Sequence, residues 1–505
     1  MSSPTPARCL LALALGALAA CGRSEPPNVV LVTLDTTRPD YFSCYGFEPG
    51  NTPHFDALAR SGARFERAMS ASAVTPVSHV TILTGKYPYT HGSRVLFAEG
   101  GFRLRKSQRT LAQALAERRY TTAAVHSALP VSRPWGFDRD FQHFDSIEGS
   151  VRLGDRGASW DTEHGQRRSD ETTDRVLELL PRLAEPFFLW IHYWDPHDVG
   201  LLPPDEFLEG VPIKQALATL RETGQGPRDY FRLADATYAR EVRFVDHQFG
   251  RVVAALADRG ALERTLLAVT ADHGEGLSDG EEIHGWRAHR MVYREQIQVP
   301  LILSGPGIAS GRVVPELVRT ADITPTIYDY LGIAPEPDWD GRSLRPLIDG
   351  EPDEPRIAYA DQINGYDLNA KMTDGRPDAM FLYCVMDADW KLVYRPHMPH
   401  ASELFHTRED PEERVDVLAG HPDVVARLLG DLARRKPWVL APFEKDPEAN
   451  ADLQNALAQV GYAGGNELHA GAWAWMCPRH PDHRDDGPDP PPHECGSPLV
   501  PVGKQ

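Results

Sequence analysis

Three short segments of this 505-residue chain carry side chains that could together bind a divalent cation beside an alcohol. Asp35 follows one apolar run, the pair Asp272 and His273 follows another, and Thr75 lies between them in sequence. Carboxylate and imidazole groups bind divalent cations, and a cation beside an alcohol activates it for nucleophilic attack. An aspartate at a strand end is more often a cap or turn residue, so each segment alone says little. Together they predict a divalent-cation site beside an alcohol side chain.

The elements that must position these side chains alternate along the chain. Residues 28–34 form a continuous apolar, β-branched run, which predicts a strand covered on both faces. Similar runs occupy residues 121–126, 187–192, 266–270 and 299–303, and helical patterns occupy residues 53–61 and 111–118. Three of the predicted strands lead directly into Asp35, Asp195 and Asp272. This alternation predicts an α/β domain with a mostly parallel sheet, whose strand ends carry the chemistry.

The segment from Thr75 through Ser78 and His79 to Gly85 resembles the sulfatase branch of the alkaline phosphatase superfamily. Residues 30–46 and 272–276 look like that family's two metal segments, residues 192–197 look like its mid-chain histidine motif, and further matches continue in order to residue 429. The resemblance implies an alkaline phosphatase-like α/β fold. In that fold helices flank a mostly parallel central sheet, and a smaller C-terminal α+β subdomain follows.

The resemblance also implies a role for each matching residue. The expected metal ligands are Asp35, Thr75, Asp272 and His273, and the expected catalytic residues are Thr75 as nucleophile, His197, His289 and His79. His197 and His289 would contact the anionic oxygens of the ester or protonate its leaving group. Ser78 and His79 could equally well support the first helical turn, and His192 and His284 are left undecided. Calcium is the cation implied by the resemblance, with manganese and zinc as alternatives.

Several positions depart from the family pattern. Thr75 stands where sulfatases carry the Cys or Ser that becomes formylglycine, and threonine cannot yield that aldehyde, although its alkoxide can attack phosphorus. Thr36 replaces a metal carboxylate, Leu96 replaces a frequent asparagine, and Ser127 and His289 replace lysines. Three hypotheses follow. The protein is a metal-dependent hydrolase of sulfate or phosphate esters, a threonine-dependent phosphodiesterase or phosphonate monoester hydrolase, or a lipid-anchored binding protein without turnover.

The beginning of the chain predicts export and a lipid anchor. The apolar run at residues 10–20 is too short to span a bilayer, and it leads into Leu18-Ala-Ala-Cys21, which resembles a bacterial lipobox. We therefore expect lipidation of Cys21, membrane attachment and a periplasmic or outer-membrane location, with an ordinary signal peptide as the alternative. The formal charge of −19 and the lack of a basic stripe argue against nucleic acid as a partner. The expected partner is a small-molecule or glycan sulfate or phosphate ester.

Composition divides the chain into five predicted parts: a signal peptide at residues 1–21, a linker at 22–27, a catalytic domain at 28–337, a C-terminal subdomain at 338–445 and a tail at 446–505. The tail resembles the small heavy-metal-binding module of bacterial metal transporters. Its expected zinc or copper ligands are Cys477, His480, His493 and Cys495. A disulfide between Cys477 and Cys495 is an equal alternative, because an exported protein meets oxidising conditions.

Overall fold

An eight-stranded sheet forms the centre of the protein in the computed structural model. The structure describes residues 26–96, 103–147, 151–154, 157–160, 165–197, 201–208, 218, 227–367, 376–438, 473–477, 480–485 and 500–503. The lipidation candidate Cys21 and the tail candidates His493 and Cys495 lie outside these residues. In the part of the chain that is described, no helix combines the length and the apolar character needed to cross a membrane.

The strands follow the alternating pattern predicted from the sequence. In chain order they are β1 (Asn28–Leu34), β2 (Ala63–Met69), β3 (Thr121–His126), β4 (His143–Asp145), β5 (Val151–Gly154), β6 (Gly157–Trp160), β7 (Phe187–Tyr193), β8 (Thr265–Ala271), β9 (Gln298–Ser304), β10 (Arg312–Arg319), β11 (Ala358–Gln362), β12 (Leu382–Met386), β13 (Trp390–Tyr394), β14 (Glu403–His406), β15 (Trp473–Cys477), β16 (His480–Asp485) and β17 (Val500–Gly503). The central sheet has the order β10-β2-β9-β8-β1-β7-β3-β4. Only β9 runs antiparallel to its neighbours in this sheet, so the mostly parallel sheet is confirmed.

The register of the central strands positions the site. Every residue of β1, β7 and β8 is buried, as expected for strands that are covered on both faces. Leu34 pairs with Tyr193 on one side and with Ala271 on the other. Because the three strands are parallel and end at the same level, the residues that follow them meet at one edge of the sheet. Asp35 and Asp272 are two of those residues.

Helices cover the faces of this sheet. The α-helices among the described residues are Pro53–Ser61, Thr75–Thr84, Pro88–His91, Leu111–Ala116, Ser169–Leu179, Pro227–Asp258, Ser278–His284, Arg294–Ile297, Ile323–Tyr330, Arg345–Asp349 and Pro422–Arg435. The first agrees with its predicted span, and the fourth ends two residues earlier than predicted. The Thr75–Thr84 helix is buried along its whole length, so its sequence shows no polar face. It is a core element that presents its first residue to the sheet edge.

A second sheet forms the C-terminal subdomain. Strands β11 to β14 form an antiparallel sheet in chain order, and the helix Pro422–Arg435 packs against β12 and β13. This arrangement confirms the predicted α+β subdomain. Further along, β15 to β17 form a three-stranded antiparallel sheet, which the composition of the tail did not predict. Its backbone register places Cys477 opposite His480. The tail metal site and its disulfide alternative both stay predictions.

Candidate active site

Asp35 and Asp272 meet where β1 and β8 end. The backbone N–H of Asp35 donates to the Tyr193 carbonyl at 2.8 Å, and the backbone N–H of Asp272 donates to the Leu34 carbonyl at 3.3 Å. Thr36 has a left-handed backbone with φ of 47°, and its N–H donates to Asp272 Oδ1 at 3.1 Å. This turn joins the two segments directly. Both carboxylates are fully buried.

Asp35, Asp272 and His273 form a compact group that could hold a cation, called the metal group below. One ligand atom from each lies within 4.8 Å of the others. Asp35 Oδ1 and Asp272 Oδ2 are buried and accept no hydrogen bond. Burial raises the pKa of both carboxyl groups well above the usual range, and neighbouring charges raise the pKa values further, Glu275 for Asp35 and Asp35 for Asp272. A buried carboxylate oxygen without a donor is costly, and each carboxylate has one, so this donor set fits a divalent cation.

Thr75 presents its hydroxyl to the metal group. It is the first residue of the Thr75–Thr84 helix, with proline in the first turn, and only 5% of it is exposed. Its Oγ1 lies 3.4 Å from His273 Nε2. The helix begins at this point, so unpaired backbone N–H groups and the positive end of the helix dipole favour an anion beside Thr75.

His79 supports the start of this helix from below. One ring nitrogen, Nδ1, lies 2.7 Å from the Thr75 carbonyl, and Nε2 lies 3.0 Å from Thr33 Oγ1. Thr33 Oγ1 also accepts from Trp190 Nε1 at 3.0 Å, so its own hydrogen is available for His79 Nε2. Burial lowers the pKa of His79 well below its usual range, which keeps the ring neutral. With both nitrogens engaged, His79 fits the helix-support hypothesis better than contact with an ester.

Ser78 also acts on the scaffold of the metal group. Its hydroxyl and that of Ser70 both donate to the Asp272 carbonyl and lie 3.0 Å from each other. These bonds fix the backbone at the residue whose side chain belongs to the metal group. Ser127, which stands in the slot of an expected lysine, donates to the His192 carbonyl at 2.7 Å. The serines therefore hold backbone rather than substrate.

His197 and His289 lie beside the metal group, in a part of the site called the imidazole side below. His197 ends the short 3-10 helix Asp195–His197, and its ring stacks on Trp194 with centroids 3.8 Å apart. The His289 ring centroid lies 5.1 Å from that of His197 and 5.0 Å from that of His273. Burial lowers the pKa of His289 to about 3. The structure therefore brings both predicted histidines to the site, and the lowered pKa keeps the His289 ring neutral.

Two further residues belong to the site that sequence reasoning did not assign. Glu275 Oε2 lies 3.2 Å from His289 Nδ1, so Glu275 orients that ring. His192 Nε2 lies 3.2 Å from Asp35 Oδ2 and thus fixes the Asp35 carboxylate of the metal group. Glu275 follows Asp272 and His273 closely enough for the motif to have indicated it. The remaining undecided histidine, His284, pairs with Glu295 at 3.0 Å and stacks on Tyr293, so it supports packing instead.

Comparison with known proteins decides the family. The sulfatase family model matches residues 27–333, and the model of the C-terminal region of N-sulphoglucosamine sulphohydrolase matches residues 280–436. The chain belongs to the sulfatase family. It is 23% identical to an N-acetylglucosamine-6-O-sulfatase of Bacteroides thetaiotaomicron, over 81% of this chain and 86% of the relative. It is therefore a sulfatase-like ester hydrolase.

Solved structures agree with this assignment of the fold. One of them, described as a complex with its substrate D-glucosamine-2-N,6-O-disulfate, matches with a TM-score of 0.64 and 20% identity, covering 84% of this chain and all of that one. A phosphonate monoester hydrolase from Silicibacter pomeroyi matches with a TM-score of 0.63 and 22% identity, covering 81% of this chain and 95% of that one. The alkaline phosphatase-like fold predicted from the sequence is confirmed.

Proposed function

We propose that this protein hydrolyses an anionic sulfate or phosphate ester, with Thr75 as the nucleophile and a divalent cation held by Asp35, Asp272, His273 and Thr75 itself. One observation carries the proposal: the Thr75 hydroxyl lies 3.4 Å from His273, a member of the metal group in which Asp35 Oδ1 and Asp272 Oδ2 are buried and accept no hydrogen bond. Calcium is the cation suggested by the family. The carboxylate oxygens suit it, whereas the imidazole of His273 would also suit manganese or zinc.

The cation, Thr75 and the two histidines have different roles in the proposed reaction. The cation, when bound, supplies positive charge that acidifies the Thr75 hydroxyl and neutralises charge on the ester. Thr75 Oγ1 attacks the sulfur or phosphorus atom, the bond to the leaving oxygen breaks, and an alcohol departs with a proton. His197 and His289 lie on the side where that proton can be exchanged. Water then attacks the threonyl ester, which releases the inorganic anion and restores Thr75.

A second candidate function is favoured by the nucleophile itself. Sulfatases with formylglycine release sulfate by reforming an aldehyde, and a threonine side chain has no such route. Attack of an alcohol on phosphorus followed by hydrolysis needs no aldehyde, so a phosphodiester or a phosphonate monoester is the alternative substrate. Structural similarity to a phosphonate monoester hydrolase is consistent with this alternative.

The proposed substrate class rests on a relative, and the proposed location rests on the beginning of the sequence. A glycan or small-molecule ester is the substrate class we propose, because a relative that aligns over most of this chain is an N-acetylglucosamine-6-O-sulfatase. We also propose an exported protein that is anchored by lipid at Cys21, in the periplasm or at the outer membrane. Metabolic labelling with a fatty acid tests this: Cys21→Ser should lose the label and release the protein from the membrane fraction.

The activity itself is tested with three panels of aryl esters: sulfates, phosphate diesters and phosphonates. Each panel is assayed with added calcium, manganese or zinc, on the wild type and on Thr75→Ala. We expect turnover of at least one panel to depend on both the cation and Thr75. Cation binding without turnover of any ester would instead support a lipid-anchored binding protein that has kept the fold.

A further inference from the structure

Arg290 lies beside the imidazole side in an unusual backbone conformation. Both Ala288 and Arg290 have left-handed φ values, 65° and 79°, which non-glycine residues seldom adopt. Contacts hold the segment in place: Ala288 and Gly276 exchange backbone hydrogen bonds at 2.7 and 3.0 Å, and Asn364 Nδ2 donates to the Arg290 carbonyl at 2.9 Å. The surroundings therefore impose a costly conformation that fixes His289 and Arg290 together.

The Arg290 guanidinium is buried, and only one of its two terminal nitrogens makes a hydrogen bond. Nη1 donates to Asp367 Oδ2 at 2.9 Å, whereas Nη2 is buried and has no hydrogen-bond partner. Only 7% of the residue is exposed. A buried charged donor without an acceptor carries a desolvation cost, which an anionic ligand oxygen would offset. The unsatisfied nitrogen indicates a place where such an oxygen binds.

The neighbours of Arg290 connect it with the anion site. Asp367 Oδ2 also accepts the backbone N–H of Leu96 at 2.8 Å, so the carboxylate that anchors the guanidinium is itself held in place. Arg290 directly follows His289 in the chain, and the His289 ring centroid lies 5.0 Å from that of His273 and 5.1 Å from that of His197.

We infer that Arg290 binds a non-bridging oxygen of the transferred sulfate or phosphate group through Nη2, supplying fixed positive charge that His79, Ser127 and His289 do not provide. This inference rests on the proposed function, because it names an anion-binding residue of the same site. A guanidinium fork suits the oxygens of tetrahedral anions.

The test measures binding of inorganic phosphate and inorganic sulfate to the metal-loaded full-length protein by isothermal titration calorimetry. The variant is Arg290→Met combined with Asp367→Asn, which removes both charges and so avoids leaving a lone buried carboxylate. Its control is Arg94→Met combined with Asp361→Asn, because Arg94 is equally buried and pairs with Asp361 at 3.0 Å, but its Nη2 is satisfied by Asp361 and Pro437. The Arg290→Lys variant, which retains the charge, provides a milder change.

We expect the Arg290 double variant to bind the anions at least about tenfold more weakly, because the loss of one hydrogen bond to a charged group lowers the binding affinity by about that factor. The Arg94 control should bind as the wild type does, and Arg290→Lys should fall between them. Wild-type affinity in a folded Arg290 double variant overturns the inference, as does an equal loss in the control or an absence of anion binding in the wild type. Failure of the proposed function is seen separately, as turnover that survives Thr75→Ala.

Discussion

The metal group and the imidazole side are neighbours in the site, but different parts of the fold hold them in place. Asp35 and Asp272 follow parallel strands whose register brings the two carboxylates together. His197 and His289 lie on connecting segments, and their rings meet through contacts with Trp194 and Glu275. The sheet register thus positions Asp35 and Asp272, whereas the imidazole side depends on how separate loops pack. Variants should therefore affect the two sides differently.

Removing a metal ligand should give the largest effect. We expect Asp272→Asn to abolish cation binding and to lower kcat/KM by about a thousandfold or more, because both the charge and a ligand oxygen are lost. Metal analysis of the purified variant alongside steady-state kinetics checks this. Glu66→Gln, which changes a carboxylate on β2 with 45% of its side chain exposed, is the control. If the Asp272→Asn protein still binds a full complement of cation, Asp272 is not a cation ligand.

Changing the imidazole side should cost less and should leave the cation in place. We expect His289→Gln to lower kcat by about ten- to a thousandfold, typical of a residue that assists proton transfer, with unchanged metal content. Glu275→Gln should produce a smaller loss of the same kind, because it only orients the ring. Loss of the cation in His289→Gln would show that the two sides are not separable.

His79 offers a contrast with His289, since it lies beneath the helix. His79→Ala should reduce the free energy of unfolding by about 1–3 kcal/mol, because the Thr75 carbonyl and Thr33 lose their buried partner. Thermal denaturation measures this change. Part of the activity should remain in the folded fraction. An unchanged Tm combined with complete loss of turnover would assign His79 to the ester instead.

A pH dependence should distinguish the protein with and without its cation. Burial and neighbouring negative charge raise the pKa of Asp35 and Asp272 in the folded state. Without a cation, their stabilising contribution is present below the unfolded pKa, near about 4, and is lost as the pH rises through the raised folded values. The gain in Tm on adding cation should therefore be larger at pH 8 than at pH 5. Equal gains at both pH values would argue against carboxylate ligands.

The sequence predicted the parts of the molecule that local patterns determine. The apolar runs before Asp35 and Asp272 specify buried parallel strands, so the meeting of these residues followed from the sheet alone. The pairing of His192 with Asp35 spans 157 residues and depends on the register between β1 and β7. The Glu275 and His289 pair, like that of Arg290 with Asp367, depends on loop conformations that no local pattern specifies. Short-range periodicity cannot predict these contacts.

The central claim is that Thr75 attacks the ester beside the metal group. Its most direct test compares kcat/KM of wild type, Thr75→Ser and Thr75→Ala on the best ester found, with saturating cation. We predict that Thr75→Ser keeps measurable turnover, while Thr75→Ala loses about a thousandfold or more. Wild-type turnover in a folded, cation-loaded Thr75→Ala protein would contradict the account.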